Sequence, residues 1–315
     1  MGHEIRKEIM AKVAYYIFVI PLSYLPLVIL YAIMDIFYLL LISIVPYRKK
    51  VIIQNIERSF PNKTKSEKAK IKRQFYRHLT QLLAESVKGL SISENELKRR
   101  ITVKNPEVMD DLYANGKNVL LVSGHYNNWE WVILSQALLF KHDAIGIGMP
   151  MTSKFWDKKI NQRRSRFGMK VVHAKNYKEA LTSDKERLKS VLVLSDQSPG
   201  DSLKSYWMQF LNQNTAVLFG AEMMAHQLNY AVVFYALRKI KRGKYEMELF
   251  LITDNPSERS WGEITEAHTH LLEQEINNEP APWLWSHKRW KREVPSDLET
   301  LKQQQQTAFN EKYNL

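Results

Sequence analysis

The sequence predicts an α/β fold, a mixed β-sheet flanked by helices, preceded by an N-terminal hydrophobic membrane-anchor helix. From Asn118 onward, short apolar runs bounded by turn residues alternate with stretches of helical periodicity, the pattern of layered α/β architecture. The last two runs are joined by Lys241-Arg242-Gly243-Lys244, a hairpin signal, so at least one strand pair is antiparallel and the sheet is mixed. The 33 residues from Val13 to Val45 are almost wholly apolar or aromatic, where about 20 suffice to cross a bilayer.

The apolar stretch is too long for the core of a signal peptide and no small-residue cleavage site follows it, so retention is expected. Pro21, Pro26 and Asp35 interrupt it and argue against one straight span; a kinked or interfacial helix and a buried helix of a soluble protein are the alternatives. Tyr47-Arg48-Lys49-Lys50 closes it, and these cations put the rest of the chain on the cytoplasmic side. Pro61-Asn62 then marks a turn and Thr64 a cap for a helix over 65–90. Its apolar residues Ile71, Phe75, Leu79, Leu82, Leu83 and Val87 recur at the three- and four-residue steps of one buried face.

Strands are predicted at Val119–Val122, Ala144–Gly148, Met169–His173, Val191–Leu194, Ala231–Leu237 and Tyr245–Ile252. Helices are predicted at Trp129–Phe140, Lys154–Arg166, Tyr177–Lys189, Val217–Leu228 and Glu263–Ile276. The end of the chain, with its Gln303–Gln306 run, reads as a frayed polar tail. The expected organisation is an anchor over 1–50, an α/β domain over 51–295 and a tail over 296–315.

With 46 Lys and Arg against 33 Asp and Glu, the chain carries +13. That balance attracts a polyanion: nucleic acid, an anionic membrane or an acidic carrier protein. Beside the apolar stretch, a membrane outranks nucleic acid, and no nucleic-acid partner is expected. The absence of cysteine excludes disulfides, thiolate metal sites and a cysteine nucleophile.

The chemistry-bearing run is Ser123-Gly-His-Tyr-Asn-Asn-Trp-Glu130. Residues 125 and 130 would diverge by about 140° on one helix, so they can meet only if His125 lies on the turn before the helix and Glu130 in its first turn. A carboxylate there can accept a hydrogen bond from one imidazole nitrogen and leave the other as a general base. The same letters also spell a capping box, with Asn127 as cap and Glu130 three residues on, which needs no catalysis.

His125-x4-Glu130 resembles the His-x4-Asp/Glu motif of glycerolipid acyltransferases, and the whole run resembles the lipid A late acyltransferases, lauroyl and myristoyl transferases of Gram-negative outer-membrane assembly. The likeness extends, in the family's order, through Tyr47–Lys50 with Asn55–Pro61, Arg164–Gly168, Asp196-Gln197 and Trp283–Lys291. It implies an O-acyltransferase at the inner membrane, facing the cytoplasm, that needs no metal or cofactor. His125 would deprotonate a hydroxyl of a phosphorylated glycolipid, a lipid A precursor, with Glu130 orienting the imidazole. The oxygen would then attack the thioester of an acyl carrier protein or acyl-CoA. Lysophospholipids or other glycolipids are alternative acceptors, and a membrane-anchored lipid- or polyanion-binding protein is the non-enzymatic alternative.

Arg164 and Arg166 suit phosphate recognition, or else a solvated basic face together with Lys158, Lys159 and Arg163. Asp196 and Gln197 follow a strand end, where they could serve the site or cap the turn through Ser198-Pro199-Gly200, and the resemblance implies that they line the site. Trp283, Trp285 and Trp290, interleaved with His287, Lys288, Arg289, Lys291 and Arg292, are expected at a membrane interface, with base stacking on a nucleic acid and a buried core position as the alternatives.

Overall fold

The computed structural model describes residues 2–44, 47–183 and 186–315. Seven of its strands form one mixed sheet: β1 (Ile101–Val103), β2 (Val119–Ser123), β3 (Asp143–Gly148), β4 (Lys170–His173), β5 (Lys189–Leu194), β8 (Ala231–Lys241) and β9 (Lys244–Thr253). Between β5 and β8 the chain makes a separate hairpin, β6 (Tyr206–Phe210) and β7 (Gln213–Val217). The spatial order of the main sheet is β1-β9-β8-β2-β5-β3-β4, with β8 and β9 antiparallel and all other neighbours parallel. All six predicted strands are present, and Lys241 pairs with Lys244 across the predicted turn.

β2 occupies the middle and is buried along its whole length, as a parallel strand covered on both faces must be. Alternate side chains enter two cores: Leu120 and Val122 on one face, Val119 and Leu121 on the other. The first face is covered by α4 (Lys49–Ser59), α5 (Lys65–Lys88), α11 (Gly220–Leu228) and α12 (Glu263–Asn278). On the second lie α6 (Glu94–Arg100), α7 (Glu107–Ala114) and α8 (Trp129–Leu139). α5 begins at Thr64, in a capping box with Glu67, and α9 (Lys154–Arg164) packs beside α8. α10 (Tyr177–Thr182) is shorter than predicted; residues 184 and 185 of that prediction lie outside the described residues.

The apolar N-terminal stretch is not one helix. It is divided into the end of α1 (Gly2–Val13), a π-helical turn (Ala14–Val19), α2 (Ile20–Tyr24) and α3 (Leu27–Ser43), with Val45 outside the described residues. The break falls at Leu25, held extended by the proline that follows it. α3 turns Leu27, Leu30 and Tyr31 inward, packs along α5, and pairs Asp35 with Arg242 at 2.7 Å. Among the described residues no helix is long and apolar enough to cross a membrane. The predicted frayed tail forms α13 (Leu298–Tyr313) instead, capped by Asp297 and held by Phe309, which is buried against Phe219 and His226.

Candidate active site

Parallel pairing of β2 with β5 sets Ser123 opposite Leu194. Two residues further along each strand's exit stand His125 and Asp196, so the register brings them side by side at the carboxyl end of the sheet. The backbone N–H of His125 donates to Asp196 Oδ2 at 2.8 Å and its Nδ1 donates to Oδ1 at 2.6 Å. The buried indole of Trp283 donates to Oδ2 at 2.9 Å. Gly124 makes this approach feasible, because a Cβ there would stand 2.6 Å from Leu272 Cδ2 and 3.0 Å from Asp196 Cγ.

Burial works to raise the Asp196 carboxyl, but the neighbouring His125 and the hydrogen bonds from His125 and Trp283 outweigh it and hold the group at about 2. Asp196 is therefore an anion at neutral pH. A carboxylate can only accept, so a proton sits on Nδ1, and in the neutral tautomer the basic nitrogen is Nε2. Nε2 faces the Gln197 amide nitrogen at 3.3 Å, and the ring packs edge-on against Trp129 at 5.1 Å. The His125 side chain is 16% exposed, which leaves it within reach of a substrate.

Glu130 is in the first turn of α8 and His125 is outside the helix, as the spacing required. Its expected role in orienting His125 is corrected, because the imidazole proton goes to Asp196. The Glu130 carboxylate is held by Arg163 and Arg164 instead. Burial would raise it, yet the two guanidiniums hold it down at about 2, with a smaller contribution from nearby His125. The capping box is also absent. Asn128 is the cap, accepting from Trp131 N–H at 3.0 Å, which puts Glu130 one position too early. Asn127 takes a left-handed backbone conformation and donates to Leu237 O at 2.7 Å.

The remaining predicted residues separate. Asp196 and Gln197 are brought to His125. Arg164 spends its donors on Glu130, and Arg166 donates to Gly89 O at 2.8 Å and Ile92 O at 2.9 Å, tying down the turn between α5 and α6. These bonds occupy the Nε–Nη2 edge of Arg164 and both terminal nitrogens of Arg166. The tryptophans expected at a membrane interface are core residues instead: Trp283 and Trp285 are 2% and 0% exposed, and Arg289 among them is buried and donates to Ala216 O. Trp290 is half-buried and donates to Thr215 Oγ1 at 2.7 Å. Apolar packing in this segment captures their rings, and one indole serves the site.

Two contributors were not singled out from the sequence. Trp283 is expected at a membrane interface or in the core rather than as a donor to Asp196, and Arg163 in a basic face; the pairing of Arg163 with buried Glu130 carries no local signal. His287 holds the loop after Gln197 by accepting from Ser198 N–H at 3.0 Å, and burial pushes its imidazole down to about 4, so it is neutral. Among the described residues no cluster of three or more His, Asp or Glu is suited to a metal.

The family model for "Bacterial lipid A biosynthesis acyltransferase" matches residues 4–292. A lipid A biosynthesis acyltransferase of Haemophilus influenzae is 23% identical over 286 residues, covering 80% of this chain and 85% of the relative. The family match runs from the N-terminal helices past the Trp283 segment, through every element that builds the His125–Asp196 pair. The chain therefore belongs to the bacterial lipid A biosynthesis acyltransferase family and is an acyltransferase.

Proposed function

We propose that the protein transfers a fatty acyl chain from a thioester, on acyl carrier protein or CoA, to a hydroxyl of a lipid A precursor, with His125 as general base and Asp196 as its orienting carboxylate. The observation that carries this reading is the Nδ1–Asp196 bond, which holds the Nδ1–H and directs Nε2, the basic nitrogen of the neutral imidazole, toward the open side of the site. Nε2 takes the hydroxyl proton as the acceptor oxygen attacks the thioester carbonyl. Collapse of the tetrahedral intermediate breaks the C–S bond, and the departing thiolate recovers the proton from Nε2–H, giving an ester and a free thiol. Asp196 stabilises the imidazolium between these steps, while Glu130 serves by clamping α9 to α8.

Membrane attachment belongs to the same reading. Ile9, Phe18, Val28, Ile36, Leu39 and Leu40 are all exposed on the N-terminal helices. That apolar face supports a chain lying in the interface of the cytoplasmic leaflet of the inner membrane, with the catalytic domain in the cytoplasm.

In an assay with acyl-loaded carrier protein and a lipid A precursor, His125→Ala is expected to lose acyl transfer while still unfolding in one cooperative transition. Full activity in that variant overturns the general-base assignment. Lipid A from cells lacking the protein should be short of one acyl chain by mass spectrometry, and an unchanged acyl count would rule out this acceptor.

A further inference from the structure

α5 carries a second polar surface that the His125 site does not use. Lys70 and Arg77 are seven residues apart and therefore on one face of the helix. With Lys63 before the helix and Lys239 on β8, they line a cleft of about 590 Å³ closed on one side by Pro280–Pro282. None of these four cations has an ion-pair partner among the described residues. Only two carboxylates line the same space, Glu67, which is engaged in capping Thr64, and Glu279.

A second observation is independent of these charges. His78 lines the cleft with its side chain 3% exposed, and neither ring nitrogen has a hydrogen-bond partner. A buried imidazole always carries at least one N–H, and leaving it unpaired is costly. Neither nitrogen reaches the open surface of the cleft, so an acceptor atom entering it would satisfy the N–H once a lining side chain shifts aside.

The cleft adjoins the catalytic loop. Asn127 N–H donates to Pro282 O at 3.3 Å, its side chain bonds Leu237 two residues before Lys239, and Tyr126 Oη donates to Glu279 O at 2.8 Å. The wall of the cleft thus braces the two residues that follow His125.

We propose that this cleft is a phosphoryl-binding site, in which Lys63, Lys70, Arg77 and Lys239 hold a phosphate ester or diphosphate and His78 donates to one of its oxygens. Its place beside the His125 loop suits the phosphate of a bound substrate, either on the acceptor's sugar headgroup or on the nucleotide part of an acyl-CoA donor. Only this choice of ligand rests on the acyl-transfer reading. The binding of a phosphoryl group does not.

The test is calorimetric titration of the full-length protein in detergent with inorganic pyrophosphate. Saturable binding is expected, weakening with salt and reduced at least about tenfold in Arg77→Gln/Lys239→Gln, as loss of charge-assisted hydrogen bonds requires. His78→Phe fills the same space without a donor and should also weaken it, while Lys178→Glu, on exposed α10, controls for net charge and should not. His125→Ala should bind as wild type does, so failure of the acyl-transfer reading and failure of this site are separable. Lys70→Gln, an exposed position, provides a second cationic variant should the double variant lose its unfolding transition. Displacement by glucosamine 1-phosphate identifies the acceptor headgroup, and displacement by adenosine 3′,5′-bisphosphate identifies the donor. Absent pyrophosphate binding, binding unchanged in the cationic variants, or displacement by neither compound overturns the proposal.

Discussion

At the scale of single residues, two buried carboxylates do different work. Asp196 sits against an imidazole and an indole donor, so it fixes a tautomer; Glu130 sits between two guanidiniums, so it fixes a helix. Asp196→Asn keeps the shape but replaces one anionic oxygen with an amide, and kcat should fall by about 10²- to 10⁴-fold, the range of general-base contributions. The measurement is steady-state transfer under saturating donor, and a fall of less than threefold would contradict the orienting role. Glu130→Gln should act through stability, by roughly 2–4 kcal/mol, because partly buried Arg163 and Arg164 lose their counter-charge; the usual cost of breaking a buried pair is discounted for Arg164's exposure. Denaturant midpoints for the two variants should therefore rank opposite to their activities.

At the scale of elements, Glu85 joins four pieces of the fold. Its carboxyl accepts from Tyr31 of α3 at 2.6 Å, from Tyr245 of β9 at 2.7 Å and from Asn128, the cap of α8, at 2.5 Å. Burial raises this carboxyl and the three donors oppose the rise. The N-terminal helices are thereby connected to the start of the catalytic helix through one buried acid. Asn128→Ala removes both the cap and a donor to Glu85, and a loss of about 2 kcal/mol is expected from the upper part of the capping range. Chemical denaturation followed by tryptophan fluorescence checks it. On the outer face of α3, Ile36→Asp should reduce co-flotation with anionic vesicles without changing transfer to a detergent-dispersed acceptor. Unaltered flotation would point to attachment through some other surface.

At the scale of the whole molecule, pH dependence follows from groups buried in their neutral forms. Burial pushes the imidazoles of His78, His268 and His287 down to about 3, 4 and 4, from 6.5 when unfolded. A folded value below the unfolded one means the unfolded chain takes up protons first, so this stability is present above pH 6.5 and is lost as pH falls toward 4. Glu222 opposes it: burial raises its carboxyl to about 7 against 4.5 unfolded, so its contribution is largest below 4.5 and declines as pH rises through 7. Asp196 and Glu130, both held near 2, lose their contribution only below about pH 4. Three imidazoles outweigh one carboxyl, and the denaturant midpoint should drop steadily from pH 7 to pH 5. A midpoint that rises over that interval would show that Glu222 dominates.

The sequence by itself determined the elements whose signals are local. Short apolar runs bounded by turn residues made β2 and β5, Arg242-Gly243 closed the β8–β9 hairpin, Thr64 started α5, and the 125–130 spacing put His125 on a turn. It did not announce the β6–β7 hairpin, whose turn residues Leu211 and Asn212 take left-handed conformations without a glycine. Nor did it choose a partner for His125. Glu130 is five residues away and Asp196 is 71, yet the parallel register of Ser123 with Leu194 selects the distant acid. Meanwhile α9, reached only through a strand crossover, supplies the cations that claim the near one. The tertiary structure likewise decided that Trp283 is buried and that the apolar N-terminal stretch divides at Pro26 to lay α3 along α5. Backbone pattern is set by neighbours in the chain, whereas a hydrogen-bond partner or a buried face is set by whichever distant group the packed sheet delivers to within about 3 Å.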